Sequence, residues 1–181
     1  VRAVCLIPGT GEYALATEPV HVSRGFGQQE VVNIHSPSGK ADLLVSLDAL
    51  EEEVPGCGSV VLVVSWFGDD LRAGQCTIRP KVGPQAADAA AQPWAVSGLT
   101  RATAQAVPLI SGAPIYGGTP ADASVIAAIR ELTARGQKVV FYPFILMDQV
   151  PGNLLPDPWT GTTGQPPLPW RGRITTEIAP G

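Results

Sequence analysis

Residues 59–67 read SVVLVVSWF, from Ser59 to Phe67. Valine dominates the stretch, and its apolar residues do not alternate with polar ones. Such a run predicts a strand with both faces covered, as in a parallel sheet flanked by helices. Gly68-Asp69-Asp70 ends it abruptly. A second run of the same kind, KVVFYPFILM from Lys138 to Met147, follows further on, with Pro143 as an interruption that cannot donate to a ladder. Between the two lies a helix signal. Thr119 suits a cap, Pro120 the first helical position, and Asp122 a capping-box-like start. Val125, Ile126, Ile129 and Leu132 form one apolar stripe, and Gly136 supplies the stop. Strand, helix and strand together predict a right-handed βαβ unit.

Upstream of this unit, Leu43, Leu44, Leu47, Leu50 and Val54 recur at helical spacing before Pro55-Gly56. Glu51, Glu52 and Glu53 fall at the end the helix dipole disfavours and read as a solvated face. Ser36–Lys40 is a turn-rich linker, and residues 1–35 read as β structure. Val1–Ile7 is an apolar run closed by Pro8-Gly9, a strand is expected around Val20–Arg24, and another near Val31–Ile34. Gly9-Thr10-Gly11 and Gly25-Phe26-Gly27 complete no nucleotide signature and predict hairpin turns. In residues 71–118, short β-like pieces at Cys76–Arg79, Trp94–Val96, Val107–Ile110 and Ile115–Tyr116 are broken by five prolines. Gln85–Gln92 reads as a helical turn or a loop. The whole stretch predicts irregular hairpins over one end of a sheet. After Asp148 the chain is loop-like, with a short strand expected at Arg173–Ile178.

Composition narrows the function. Of 181 residues 45% are hydrophobic and 15% charged, enough apolar material for a core. The net charge of −4 and the singly scattered basic residues argue against nucleic-acid binding, which needs clustered Lys and Arg. Cys5, Cys57 and Cys76 lie far apart, without a CxxC and without His21 or His35 at ligand spacing, so neither a zinc site nor a disulfide framework is expected. No cofactor motif is present. No apolar run approaches the ~20 residues of a membrane helix, and the start carries no signal-peptide pattern. The start at Val1 without Met and the end at Ala179-Pro180-Gly181 read as cuts within a longer protein. Twenty glycines and 18 prolines point to many turns.

Several long segments resemble one protein family. They are VRAVCLIPGTGEYALATEPVHV (1–22), VLVVSWFGDD (61–70), GGTPADASVIAAIRELTARG (117–136), KVVFYPFILMD (138–148), PGNLLPDPWTG (151–161) and PWRGRIT (169–175). The family is the very large "megatron"-type baseplate protein of gene transfer agents and related tailed phages. The resemblance covers nearly all of the chain. It implies an α/β fold: an N-terminal β segment of a tail-hub-like domain with its linker over 1–40, then over 41–181 the opening βα part of a glycoside-hydrolase-like TIM barrel. That barrel would be incomplete and carry β-hairpin insertions. It further implies a place in the virion, at the tail tip or baseplate, and a role in host attachment or envelope penetration. Partners would be hub and distal tail proteins, copies of the chain around the tail axis, and a host-surface glycan.

Barrel enzymes place their chemistry at the C-terminal ends of the strands. Here those ends carry Trp66, Asp69 and Asp70, then Asp148; with Tyr142 these are the candidate substrate-binding residues. In the glycosidases this barrel resembles, the acid/base and nucleophile follow the fourth and seventh strands, so the catalytic pair is expected outside this chain. Asp69 and Asp70 are poor candidates for the pair itself. Hydrolysis needs facing carboxyls ~5–5.5 Å apart for retention or ~6.5–9.5 Å for inversion, and adjacent residues in extended chain point apart. A turn role competes with sugar hydrogen bonding at both. Asp157 and Glu177 are further subsite candidates. Trp66, Trp94, Trp159 and Trp170 sit beside loops, where an indole either stacks on a sugar or pins the loop to the core. The pinning role is expected for Trp94 and Trp159.

Overall fold

The computed structural model describes residues 1–9, 11–84 and 88–169. In chain order, strand β1 is Ala3–Leu6, β2 His21–Gly25 and β3 Gln28–Val31, followed by helix α1, Asp42–Glu53, and strand β4, Ser59–Gly68. Seven two-residue strands come next: β5 Ile78–Arg79, β6 Lys81–Val82, β7 Ala95–Val96, β8 Leu99–Thr100, β9 Gln105–Ala106, β10 Leu109–Ile110 and β11 Ala113–Pro114. Helix α2, Asp122–Ala134, and strand β12, Lys138–Met147, complete the set.

The two apolar runs that decide the fold lie side by side. β4 is the middle of a parallel sheet ordered β1-β4-β12, with Ala3 opposite Ser59 on one side and Ser59–Gly68 opposite Lys138–Met147 on the other. β5 adds antiparallel at the end of β4, Phe67 opposite Arg79. The sheet therefore takes strands from both sides of residue 40. The chain is mixed α/β with two helices, and among the described residues the sheet does not close into a barrel.

Alternation along β4 assigns its two faces. Val60, Leu62 and Val64 bury against Leu43 and Leu47 of α1, against Val125, Ala128 and Leu132 of α2, and against Leu15. Each such side chain contributes roughly 1.5–3 kcal/mol by leaving water. Both helices thus cover one face. The opposite face, with Val61, Val63 and Ser65 beside Val140, Tyr142 and Phe144, has no helix over it, and Val140 and Tyr142 are half exposed. The expectation of a sheet covered on both sides holds for the helix face only. Continuous hydrophobicity cannot separate two covered faces from one covered and one merely apolar.

Pro143 is accommodated by direction. The Lys138 N–H donates to Gly58 C=O at 2.9 Å and the Asp148 N–H to Gly68 C=O at 3.1 Å, so even-numbered N–H groups of β12 point toward β4. Odd-numbered ones point to the open edge, and the donor Pro143 lacks belongs to that edge, where a strand proline is tolerated.

A second apolar cluster gathers under the short strands. Trp94, fully buried, packs with Tyr13, Ala16, Val20, Val22, Val82, Ala89, Val96 and Ala121, and Trp66 touches both clusters. The hairpins β7–β8 and β10–β11 each turn on a Ser-Gly pair with positive φ at both residues: Ser97 and Gly98, then Ser111 and Gly112. That is the two-residue turn whose twist matches paired strands. The β2–β3 hairpin turns on Gly25-Phe26-Gly27 with Phe26 at φ 50° and fully exposed. The strand expected near Val31–Ile34 lies earlier, because Asn33 is a local hub instead. Its side chain accepts the Val20 N–H at 2.8 Å and donates to Glu18 C=O at 2.8 Å.

Helix α2 begins later than the sequence suggests. Its cap is Ala121, without a side-chain bond, and Thr119 is fully buried elsewhere: its hydroxyl oxygen accepts the Lys81 N–H and its C=O the Trp94 Nε1–H at 2.8 Å. Arg135 ties the two helices together through Asp48, Glu51 and Glu131. No helix among the described residues is long and apolar enough to cross a membrane.

Candidate functional site

Each of the three parallel strands is followed by a buried carboxylate at its C-terminal end: Glu12 after β1, Asp70 after β4 and Asp148 after β12. Burying a carboxylate without a partner costs several kcal/mol. The segment 71–118 supplies the partners. Arg101 pairs with Glu12, Arg72 with Asp70 at 2.6 Å, and Lys81 with Asp148. The Gly83 N–H also donates to Glu12 at 2.6 Å. Gly118 is required beside it, since a Cβ there would lie 2.7 Å from the Glu12 carboxylate and 2.8 Å from the Gly83 nitrogen.

Asp70 is the most heavily engaged. It accepts the backbone N–H of Arg72 at 2.8 Å, two guanidinium bonds from the same residue, and the Gln165 amide at 2.8 Å. Burial alone would raise its pKa, but the bonds from Arg72 and Gln165 outweigh it, and its carboxyl titrates below the usual range. Asp70 is therefore ionised at neutral pH and unsuited to general-acid work. Asp69, less buried, accepts the Thr77 N–H at 2.7 Å and reaches Arg79 at 3.5 Å. Both aspartates hold the turn that leads away from β4.

A second network adjoins the first. The Tyr13 hydroxyl donates to Asp88 at 2.6 Å, and Asp88 also accepts the Trp94 N–H. Burial and this bond push the Tyr13 pKa up. Burial also opposes ionisation of Asp88, but the bonds from Tyr13 and Trp94 and the Arg101 charge hold its carboxyl low.

The open face of the sheet carries a cleft of about 400 Å³, floored by Val63, Ser65, Tyr142, Phe144 and Leu146 and flanked by Tyr116. Its walls include Pro8, Gly9, Gly117 and Gly118. Tyr142 is the one sequence-predicted site residue in its lining. Trp66 pairs in register with Ile145, on the helix face, and Tyr142 with Val63, on the open face. The five candidates thus do not form one site: Trp66 and Tyr142 lie on opposite sides of the sheet, and Asp69, Asp70 and Asp148 are committed to bonds at its end.

Trp94 pins the short hairpins, as expected. Trp159 does not pin its loop; it is 57% exposed. The loop is held instead by Asn153, Asp157 and Gln165, whose side chains make eight hydrogen bonds to backbone, among them the Trp159 N–H donating to Asp157 at 2.7 Å. Trp170, Glu177 and the strand expected at 173–178 lie outside the described residues. The residues missed by sequence reasoning, Glu12, Lys81, Arg101 and Gln165, are single charges or amides in irregular chain or, for Lys81, in a two-residue strand. No spacing rule points to them. No group of three or more metal-capable side chains occurs among the described residues.

Neither the protein-family models nor the curated proteins contain a match to this sequence.

Proposed function

We propose that this chain is an architectural module of a phage or gene-transfer-agent tail tip, built on the opening strands and helices of a TIM-barrel-like domain. The reading draws on the quoted sequence segments. Three parallel strands in sequential order, with both helices on one face, agree with it, as the start of a βα barrel has that arrangement. The observation that carries the architectural role is the fate of the strand ends. Where a barrel enzyme would present its reactive groups, Glu12, Asp70 and Asp148 are buried and neutralised by Arg101, Arg72 and Lys81. The module would sit in the virion against hub and distal tail proteins and copies of itself.

Antibody raised against the purified chain is expected to label the tip of tailed particles that package it, in electron micrographs. Labelling confined to non-particulate fractions would remove the proposal. A second reading, saccharide binding within a glycosidase-like parent, is favoured by the cleft beside Tyr142. It predicts that cell-wall or surface saccharides bind the purified chain in calorimetry, that Tyr142→Ala weakens them, and that no reducing ends are released. Release of reducing ends by this chain would place catalytic carboxylates inside it and contradict the architectural reading.

A further inference from the structure

Segment 71–118 contains four basic residues, Arg72, Arg79, Lys81 and Arg101. Each pairs with one of the carboxylates that first follow a parallel strand: Asp70, Asp69, Asp148 and Glu12. In these four pairs the cations sit on the segment and the anions on the strand ends; within the segment Arg101 also reaches Asp88 at 3.3 Å. Two of the pairs are local and lie where the segment leaves β4. The other two span long stretches of chain and fasten the segment at Lys81 and Arg101.

The remaining contacts divide in the same way. The apolar cluster between sheet and helices contains none of the described residues of 71–118. The segment buries its own side chains around Trp94, against Tyr13, Ala16, Val20, Val22 and Ala121. Its regular structure consists of two-residue ladders, with few backbone bonds to lose. Segments of that kind open at lower free energy than the layers beneath them.

We propose that residues 71–84 and 88–118 form a strap that opens as one piece, swinging on the Asp69–Arg79 turn, while the α/β layer stays folded. Opening breaks the Lys81–Asp148 and Arg101–Glu12 pairs and presents both carboxylates to solvent. The closed strap is thus a self-occluding contact over the sheet's C-terminal end. Burial of Trp94 keeps the closed form dominant.

Hydrogen exchange on the full chain, read by mass spectrometry at pH 7, tests this. Strap reporters are amides whose bonds cross to the layer: the Gly83 N–H, held by the Glu12 carboxylate at 2.6 Å, and the Thr119 N–H, held by Lys81 C=O at 2.8 Å. Layer reporters are peptides across 60–64 and 125–132. The strap is expected to exchange through an opening at least about ten times more populated than that of the layer, as sub-global units do. Lys81→Met and Arg101→Met should each raise strap exchange a further tenfold or so, because each leaves a buried charge unpaired, with the layer unchanged within about twofold. Carbodiimide labelling of Glu12 and Asp148 should rise in step. One common rate for strap and layer in the unmodified chain overturns the proposal, and so does faster strap exchange without added labelling. Should either variant fail to fold, the unmodified chain in low urea decides the same question, since strap and layer must again separate.

Discussion

Replacing Gly118 by Ala adds one methyl group where the chain has no space for it. The new Cβ would lie 2.7 Å from Cγ and Oε1 of Glu12 and 2.8 Å from the backbone nitrogen of Gly83. Real Cβ contacts are longer, so something must move. Gly118 has an ordinary backbone conformation that alanine adopts freely, so the effect is steric alone. If the surroundings shift together, overpacking costs about 1–3 kcal/mol. If the Glu12 carboxylate swings away, Arg101 and the Gly83 N–H lose their partner, and breaking a buried pair costs about 3–5 kcal/mol. The cheaper route sets the outcome, a loss of roughly 1–3 kcal/mol. In a domain of this size that is a fall in Tm of about 2–12 °C. Urea melts and thermal scans of Gly118→Ala beside Gly74→Ala measure it. Gly74 lies in the same segment, and a Cβ there meets nothing within 4 Å; its substitution should stay within about 0.5 kcal/mol. Equal stability of both variants would refute the close packing of Glu12, Gly83 and Gly118.

Pro143→Val restores an N–H to the open edge of β12, next to half-exposed Phe141 and Tyr142; folding should be unimpaired, and sedimentation velocity should show new oligomers through edge pairing. Phe26→Asn should stabilise the chain by about 0.5–1 kcal/mol in urea melts, since asparagine tolerates the left-handed conformation and the exposed phenyl ring has little packing to lose. Stability should also fall in acid. Asp70 and Asp88 titrate below the usual range in the folded chain, so their contribution is present above the unfolded carboxyl value of about 3.9 and is lost as pH falls through the folded values. The charged or titratable groups facing them are Arg72 for Asp70, and Tyr13 and Arg101 for Asp88. A urea midpoint that stays flat from pH 5 to pH 3 would contradict the assignment.

The parts of the fold legible in the sequence are those with one dominant physical signal. SVVLVVSWF and KVVFYPFILM are long enough that burial decides their state, and both are strands. Leu43, Leu47, Val125 and Leu132 recur at helical spacing and all face the core. The hairpins of 71–118 were half legible. Their Ser-Gly pairs are a turn signal, but two-residue strands carry no periodicity to confirm it. Thr119 was misleading because a threonine before proline looks like a cap, while here its hydroxyl and carbonyl serve Lys81 and Trp94 from distant parts of the chain. The candidate site was least legible. Whether Asp148 meets a sugar or Lys81 depends on a contact between residues 67 positions apart in sequence.

That difference bears on where any ligand would be held. The strand ends attracted functional assignment because barrel enzymes use them, yet their carboxylates here are spent on closing the segment 71–118 over the sheet. Tyr142 belongs to a different surface, the open face, where the cleft is apolar and its walls are largely glycine and proline backbone. Polar recognition at such a place falls to peptide groups and to tyrosine and serine hydroxyls, not to ionised side chains. Ligand binding there should therefore depend little on salt, whereas opening of the strap, which separates buried charges, should depend on it. Measuring both on one preparation across ionic strength separates a function of the cleft from a function of the strand ends. A strong salt dependence of ligand affinity would return the site to Asp148 and Glu12.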